Sequence, residues 1–181
     1  MQRITITPRF KTRTLTAAEF AQMMRSQTFF KMFMASNVFN NALKRLVDGS
    51  IDLDTHDIRV ALLMTNTTAD TDKDAINFVA NIGTLDECDA TGYARVALAS
   101  EAVNTDDAND RAEFDATDVS FTGLSGNATR AIQGALILKF VTNDSDNIPI
   151  AFIDFTADIP ATATQIDIPW NAEGILQIAQ G

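Results

Sequence analysis

Asp70, Asp72 and Asp74 alternate through the stretch DTDKD, the spacing with which an EF-hand loop begins to surround a calcium ion. The register then breaks: Ala75 stands where the loop needs a glycine for its sharp turn, and Asn81 where it needs a bidentate glutamate. Asp106, Asp107, Asn109 and Asp110 make a second acidic loop, again in no ligand register. Both stretches are expected to be solvated loops, and no metal ligands are assigned. His56 is the sole histidine, which excludes a two-histidine metal site or a histidine pair for acid–base work within one chain. No serine or cysteine beside it is spelled as a nucleophile elbow, and a surface turn position is expected for it. Cys88 is the sole cysteine, so a disulfide framework and a multi-cysteine zinc site are excluded, and a buried or idle thiol is expected. Paired acids for sugar hydrolysis want aromatic platforms, and Trp170 and Tyr93 supply few. Glycine motifs for phosphates or dinucleotides are lacking. The sequence therefore assigns no catalytic residue and implies no cofactor, and the chain is expected not to be an enzyme.

Binding chemistry is concentrated at the N-terminus. Residues 1–46 carry eight basic side chains against Glu19 alone, a net charge of +7. The whole chain carries −10, so the remainder holds −17. An acidic body repels nucleic acid, which is not an expected partner, whereas a basic arm seeks an acidic surface. Arg3, Arg9, Lys11 and Arg13, interleaved with Thr and Ile, suit salt-sensitive docking on acidic protein or on phosphate; a solvated tail is the plain alternative. Phe20, Met23, Phe29, Phe30, Phe33 and Met34 follow, and the cluster from Phe29 to Met34 leaves almost no polar face around the end of a helix. One sheet cannot cover them all, and the surplus suggests contact with another subunit, where Met and Phe are favoured. These four basic and six apolar residues are the candidate interface with the partner and between copies. The longest apolar run, FFKMFMASNVF, includes Lys31 and falls short of the roughly 18 residues of a membrane span, so no membrane partner is expected. The opening MQRITITPRFK lacks the apolar core of a secretion signal.

These residues need elements to hold them. Thr16-Ala-Ala-Glu19 spells a capping box and predicts a helix with Phe20, Met23, Met24, Phe30 and Phe33 as its stripe. A break near Ala35 and a second helix are predicted, the latter capped by Ser36 or Asn37. Its face is Val38, Phe39, Ala42, Leu43 and Leu46, and Gly49 ends it as a left-handed cap. From Ile51 the apolar period becomes two. Strands are predicted near His56–Met64, Tyr93–Ser100, Arg111–Phe114, Val119–Phe121, Ile132–Val141, Ile148–Phe155, Thr164–Ile168 and Ile175–Ala179. TNTTADTDKD, EAVNTDDAND, TGLSGNAT and TNDSDN read as the loops between them, with one helical turn an option at 75–80. The fold class is mainly β: an antiparallel β-sandwich or jelly-roll-like domain over residues 50–181, acidic, with a basic N-terminal helical arm over 1–49.

Several spellings along the chain are more specific than pattern: NVFNNAL from Asn37, LVDGSIDLDT from Leu46, DIRVALL from Asp57, ATGY from Ala90, EFDATDVSF from Glu113, IAFIDF from Ile150 and IPWNAEGI from Ile168. In these the sequence resembles a family of tailed-bacteriophage small virion structural proteins, head-decoration or cement-like, from about Ala35 to the C-terminus. The spellings mark elements of a fold and carry no catalytic role. The resemblance implies a place on the capsid surface of a virion, assembly in the host bacterial cytoplasm, and the major capsid protein as partner. Family members begin near the position of Met34, so the preceding arm is an extension whose partner the resemblance does not supply; its charge points to an acidic shell. Repeated capsid sites favour closed symmetry, so self-association as a trimer or other cyclic homo-oligomer is expected. A tail or head-fibre component, or a carbohydrate- or host-surface binding module, are the alternatives.

Overall fold

The structure of the protein, a computed structural model, describes residues 34–72 and 74–179. Its elements in chain order are β1 (Met34–Val38), α1 (Asn40–Val47), β2 (Ile58–Met64), a 3₁₀ turn (Val79–Asn81), β3 (Val96–Ala97), β4 (Ala102–Asp106), β5 (Arg111–Asp115), β6 (Val119–Thr122), β7 (Ile132–Lys139), β8 (Ile148–Ile159), β9 (Gln165–Ile168) and β10 (Leu176–Ala179). The strands pair antiparallel in three sheets, ordered β1-β8-β7-β2-β3, β10-β5-β4 and β6-β9. The protein is thus mainly β, as the period-two patterning predicts, and among the described residues no sheet closes into a barrel.

The three central strands of the large sheet do not alternate apolar with polar. IRVALLM in β2, ALIL in β7 and IPIAFI in β8 are buried almost without interruption, the signature of strands covered on both faces. Covering side chains come from α1 (Phe39, Ala42), from the 65–90 connection (Ile76, Val79, Ile82) and from the two small sheets (Phe114, Leu176, Phe121, Ile168), and all belong to one core. Burying a side chain of this kind is worth roughly 1.5–3 kcal/mol, so this shared core is what holds three small sheets as one body. Pro149 sits in β8 without a donor to give, and the β7–β8 register slips beside it, between Ile137 and Leu138. A larger irregularity lies between Ile132 and Gly134, where β8 bulges away from β7 and leaves Thr156, Ala157 and Asp158 exposed.

Several expectations need correction. Met34–Val38 is a strand and not the end of one helix and start of another: all five residues pair with β8, from Met34 opposite Phe155 to Val38 opposite Ala151. The helix begins later than a Ser36 or Asn37 cap would place it; Phe39 is its N-cap, whose ring has no acceptor for a capping bond and is instead wholly buried in the core. Gly49 does end the helix at φ +76°, with the Asp48 N–H on the Lys44 carbonyl and the Ile51 N–H on the Arg45 carbonyl. Residues 34–49 therefore pack with the β strands, β1 through its ladder with β8 and α1 through Phe39 and Ala42 in the core. The stretch EAVNTDDAND is not all loop, since its first half is β4, hairpinned to β5 through a turn in which Asp110 has φ +52°. Conversely, the strand predicted at Tyr93–Ser100 shrinks to Val96–Ala97.

Gly134 shows how closely β7 and β8 approach. A methyl group there would lie 2.5 Å from Phe152 Cζ and against the Ile153 carbonyl. Gly134→Ala is expected to cost about 1–3 kcal/mol through overpacking, read as a lower urea midpoint with an unchanged slope; an unchanged midpoint would show that the sheet yields at this point.

Candidate functional site

Of the candidate interface residues, Arg3, Arg9, Lys11, Arg13, Phe20, Met23, Phe29, Phe30 and Phe33 lie outside the described residues, as does the helix predicted from Thr16 that would carry the apolar ones. Met34 is the first described residue, and its backbone pairs with Phe155 at the edge of the large sheet. The N-terminal segment is thus joined to the body through a five-residue ladder.

Next to that junction lies an apolar groove. Val38 of β1, Leu43 and Leu46 of α1, and Leu53 meet the inner face of the β10-β5-β4 sheet around a cavity of about 40 Å³. That volume admits a side-chain tip and is far below the few hundred Å³ of a small-molecule site. Register explains the face: Val103 stands opposite Phe114, Phe114 opposite Leu176, and Ala112 opposite Ile178, so one side of the small sheet is apolar except for Thr105, opposite Ala112. Its centre is buried, Phe114 at 2% and Leu176 at 9% exposure, but its rim is open, with Val103 at 48% and Ile178 at 40%. Ile178 falls in the strand predicted at Ile175–Ala179, whereas Val103 lies in a stretch predicted as loop; the Val103 and Thr105 alternation and the Asn109-Asp110 turn were the available signals for β4.

The opposite face of the same sheet is polar and organised by Arg111. Its guanidinium contacts Asp106 (2.8 Å), Glu113 (2.6 Å) and Glu173 (2.6 Å) and donates to Gln177 Oε1 at 3.2 Å. Glu113 Oε1 is buried and lies off the N–H direction, so its contact is an ion pair without a hydrogen bond. One cation among three acids leaves this wall with excess negative charge. Asp52 and Asp54, on either side of Leu53 in the chain, interact with each other, so that Asp54 is held above its ordinary value by the hydrogen bond and like charge of Asp52.

The remaining polar clusters are occupied by structural bonds. Arg95 bridges Glu87 and Asp144, whose carboxyl it holds below the usual range, and thereby ties the 65–95 connection to the β7–β8 turn. Tyr93 donates to Glu87 at 2.7 Å, accepts the Leu62 N–H and stacks on Phe121; burial pushes its phenol up. Asp72 accepts from Thr68 and from the Gly83 N–H, which closes the loop that resembled a calcium site. His56 sits in a turn at the surface, accepting the Asp52 N–H at 2.9 Å with Lys139 Nζ 3.2 Å from its other nitrogen. Cys88 is buried, which raises its thiol. Trp170 uses its indole N–H on the Thr117 carbonyl. Among the described residues no helix is long and apolar enough to cross a membrane.

Arg111 sets a pH test. Asp106 is held below its ordinary value, first by Asn109 and also by Arg111, so its contribution to stability is present above the unfolded value of about 3.9 and is lost as pH falls through the lower folded value. Without the cation the three acids repel and take up protons more readily when folded. Arg111→Gln is expected to lower Tm at pH 7, with the deficit shrinking towards about pH 4.5. A deficit that does not change with pH would mean that Arg111 acts by packing alone.

Compared with family models, with curated proteins and with solved structures, the chain finds no match among any of the three.

Proposed function

We propose that the protein is a structural accessory protein of a phage virion that decorates or cements the capsid. The acidic β body, a sandwich of jelly-roll-like layout, stands on the outside. Its basic helical N-terminal arm reaches the major capsid protein and neighbouring copies in a trimer or other cyclic homo-oligomer. The observation that carries this reading is the segregation of charge, +7 in the first 46 residues against −17 in the rest, with the junction fixed by β1 to a sheet edge. Electrostatic attraction between a basic arm and an acidic shell accelerates encounter, and apolar contacts then hold the complex. The spellings shared with small virion structural proteins support the same assignment. The polar clusters described in the body bind one another, as where Arg95 spans Glu87 and Asp144.

The experiment is light scattering of the full chain, and of a version beginning at Met34, with undecorated phage capsids at low and high salt. Cutting at Met34 keeps the β1 ladder whole, so the shortened body is expected to fold. Loss of capsid binding in the short form, with salt-sensitive binding by the full chain, supports the reading. Equal binding by both forms would move the contact to the β body. Absence of binding by both would favour a tail or head-fibre role, with glycan binding the further measurement for a host-surface module.

A further inference from the structure

We propose that β4 is a docking edge for a second copy of the chain: two β4 strands pair antiparallel across a two-fold axis at Asn104 and join two β10-β5-β4 sheets into one. The inference goes beyond the reading above, since the contact is made by the body and needs neither a capsid nor the N-terminal segment. Backbone direction leads to it. The Phe114 carbonyl accepts the Ile175 N–H at 2.7 Å, so the polar backbone groups of Phe114 point towards β10, and those of its neighbours Glu113 and Asp115 point towards β4. Asn104 and Ala102 stand opposite those two and face them in hydrogen-bonded pairs, as Asp106 faces Arg111. The N–H and C=O of Val103 and Thr105 therefore point away from β5, at the open edge, and no described residue bonds to them. Exposure agrees: Val103, Asn104 and Thr105 are all exposed, although successive side chains point to opposite faces. The usual guards of an edge are missing, since β4 has no proline, no lysine and no bulge in its pairing with β5. Of the other edges in the two larger sheets, β3 is two residues long, and β1 and β10 adjoin residues outside the described ones.

Register selects how two such edges meet. With Asn104 opposite Asn104 of the second copy, Val103 of each copy lies opposite Thr105 of the other, and every outward N–H and C=O of the two strands finds a partner. An axis at Val103 or at Thr105 would instead pair one of the two with a residue outside β4. Asp106 falls opposite Ala102 and not opposite another acid. Val103 and Thr105 share the apolar face with Phe114 and Leu176, so the Thr105 methyl group of one copy covers the half-exposed Val103 of the other and the two apolar faces run together. Such a contact is isologous and closes as a dimer. The chain beyond residue 46 carries −17, so like charge opposes the contact and salt strengthens it, the reverse of docking by a basic arm. A five-residue ladder buries less than the roughly 1,600 Å² of a standard interface, so a concentration-dependent dimer is expected.

The test uses the full chain alone, without capsids, so its failure is separable from failure to bind a shell. Asn104→Cys is expected to form a disulfide-linked dimer on oxidation, because only at the axis does a residue meet itself, with Cα atoms about 4.5 Å apart. Val141→Cys is the control: Val141 is exposed to the same 48% as Val103 but lies outside the small sheet, and the variant is expected to stay unlinked; native Cys88 is buried in both. Val103→Cys and Thr105→Cys are each expected to link poorly alone and to link with one another when mixed, which reads the register. Thr105→Pro removes an N–H that points outward and none that pairs with β5, so it is expected to leave Tm nearly unchanged. It is expected to raise the dissociation constant of the dimer about tenfold or more, read by sedimentation equilibrium over a concentration series. If the proline variant melts early, Val103→Glu, which leaves the backbone intact and adds like charge, carries the same test. A full chain that is monomeric throughout the series, an Asn104→Cys variant that links no faster than Val141→Cys, or a folded Thr105→Pro variant that associates as before would overturn the proposal. Association that weakens as salt rises would overturn it too, by placing the contact in the basic segment.

Discussion

The pairing of β8 with both β7 and β1 is the constraint on which the rest of the structure depends. β8 is the longest strand, and its first six residues are buried on both sides of the pleat. Such a strand cannot stand at a surface, so the sheet around it must be covered twice. Helix α1, the 65–90 connection and the two small sheets exist at the positions they do because each places apolar side chains into that shared core. The β7–β8 turn extends the same control outward. Asn147, buried at 1% exposure, accepts the Val141 N–H with its side chain, and its carbonyl takes the Val79 N–H. Asp144 in the same turn takes the Ala80 N–H and the Arg95 guanidinium. A connection more than 25 residues long, with little regular structure of its own, is thereby pinned to the central hairpin at several points.

Charge follows from how few cations the body has and where they go. Arg59 pairs with Asp57, Arg95 with Glu87 and Asp144, Arg111 with three carboxylates, and Arg130 with Asp86. Lys139 donates to the Ser50 carbonyl. Arg59, Arg95, Arg111 and Arg130 are engaged in holding loops and hairpins and Arg45 lies over the Phe78 ring, while many of the body's acids face water. A partner approaching the body meets negative potential. That division of labour is visible only when sequence charge and structural pairing are read together, because counting residues cannot say which arginines are already engaged.

Legibility in the sequence tracked how local each element's cause is. β2, β7 and β8 carry long runs of Ile, Leu, Val and Phe and were readable because any covered sheet would require them. α1 was readable from its amphipathic face, and its end from Gly49, whose positive φ is a local demand. β1 was not: MASNV has small and polar residues without β-branched enrichment before Val38, and its strand state comes from Phe155 to Ala151, more than a hundred positions away. β4 was hidden for the same reason, with Asn104, Thr105 and Asp106 spelling a loop until β5 pairs with them. Tyr93 misled in the other direction. Its aromatic side chain suggested a strand, but its hydroxyl serves as a joint between the Leu62 N–H and Glu87, which takes its backbone out of the ladder. The groove was the least legible feature, since its walls come from six elements and loops that no sequence window holds together.

β1 changes what an N-terminal segment can do to the body. A segment attached through a flexible linker transmits neither position nor load, because the linker absorbs both. Here the first described residue is already in register with Phe155, and the ladder continues through Val38 into α1, whose Phe39 and Ala42 are wholly buried. A pull on Met34 along the strand loads the hydrogen bonds of all five paired residues in parallel, where a pull across the sheet would open them one at a time. The strand's antiparallel direction aligns it with the 12-residue β8, the element with the most buried partners. Force or binding energy delivered at the N-terminal end is therefore passed to the centre of the core. The same five residues, unremarkable as sequence, thus tie the first described residue to the core through β8.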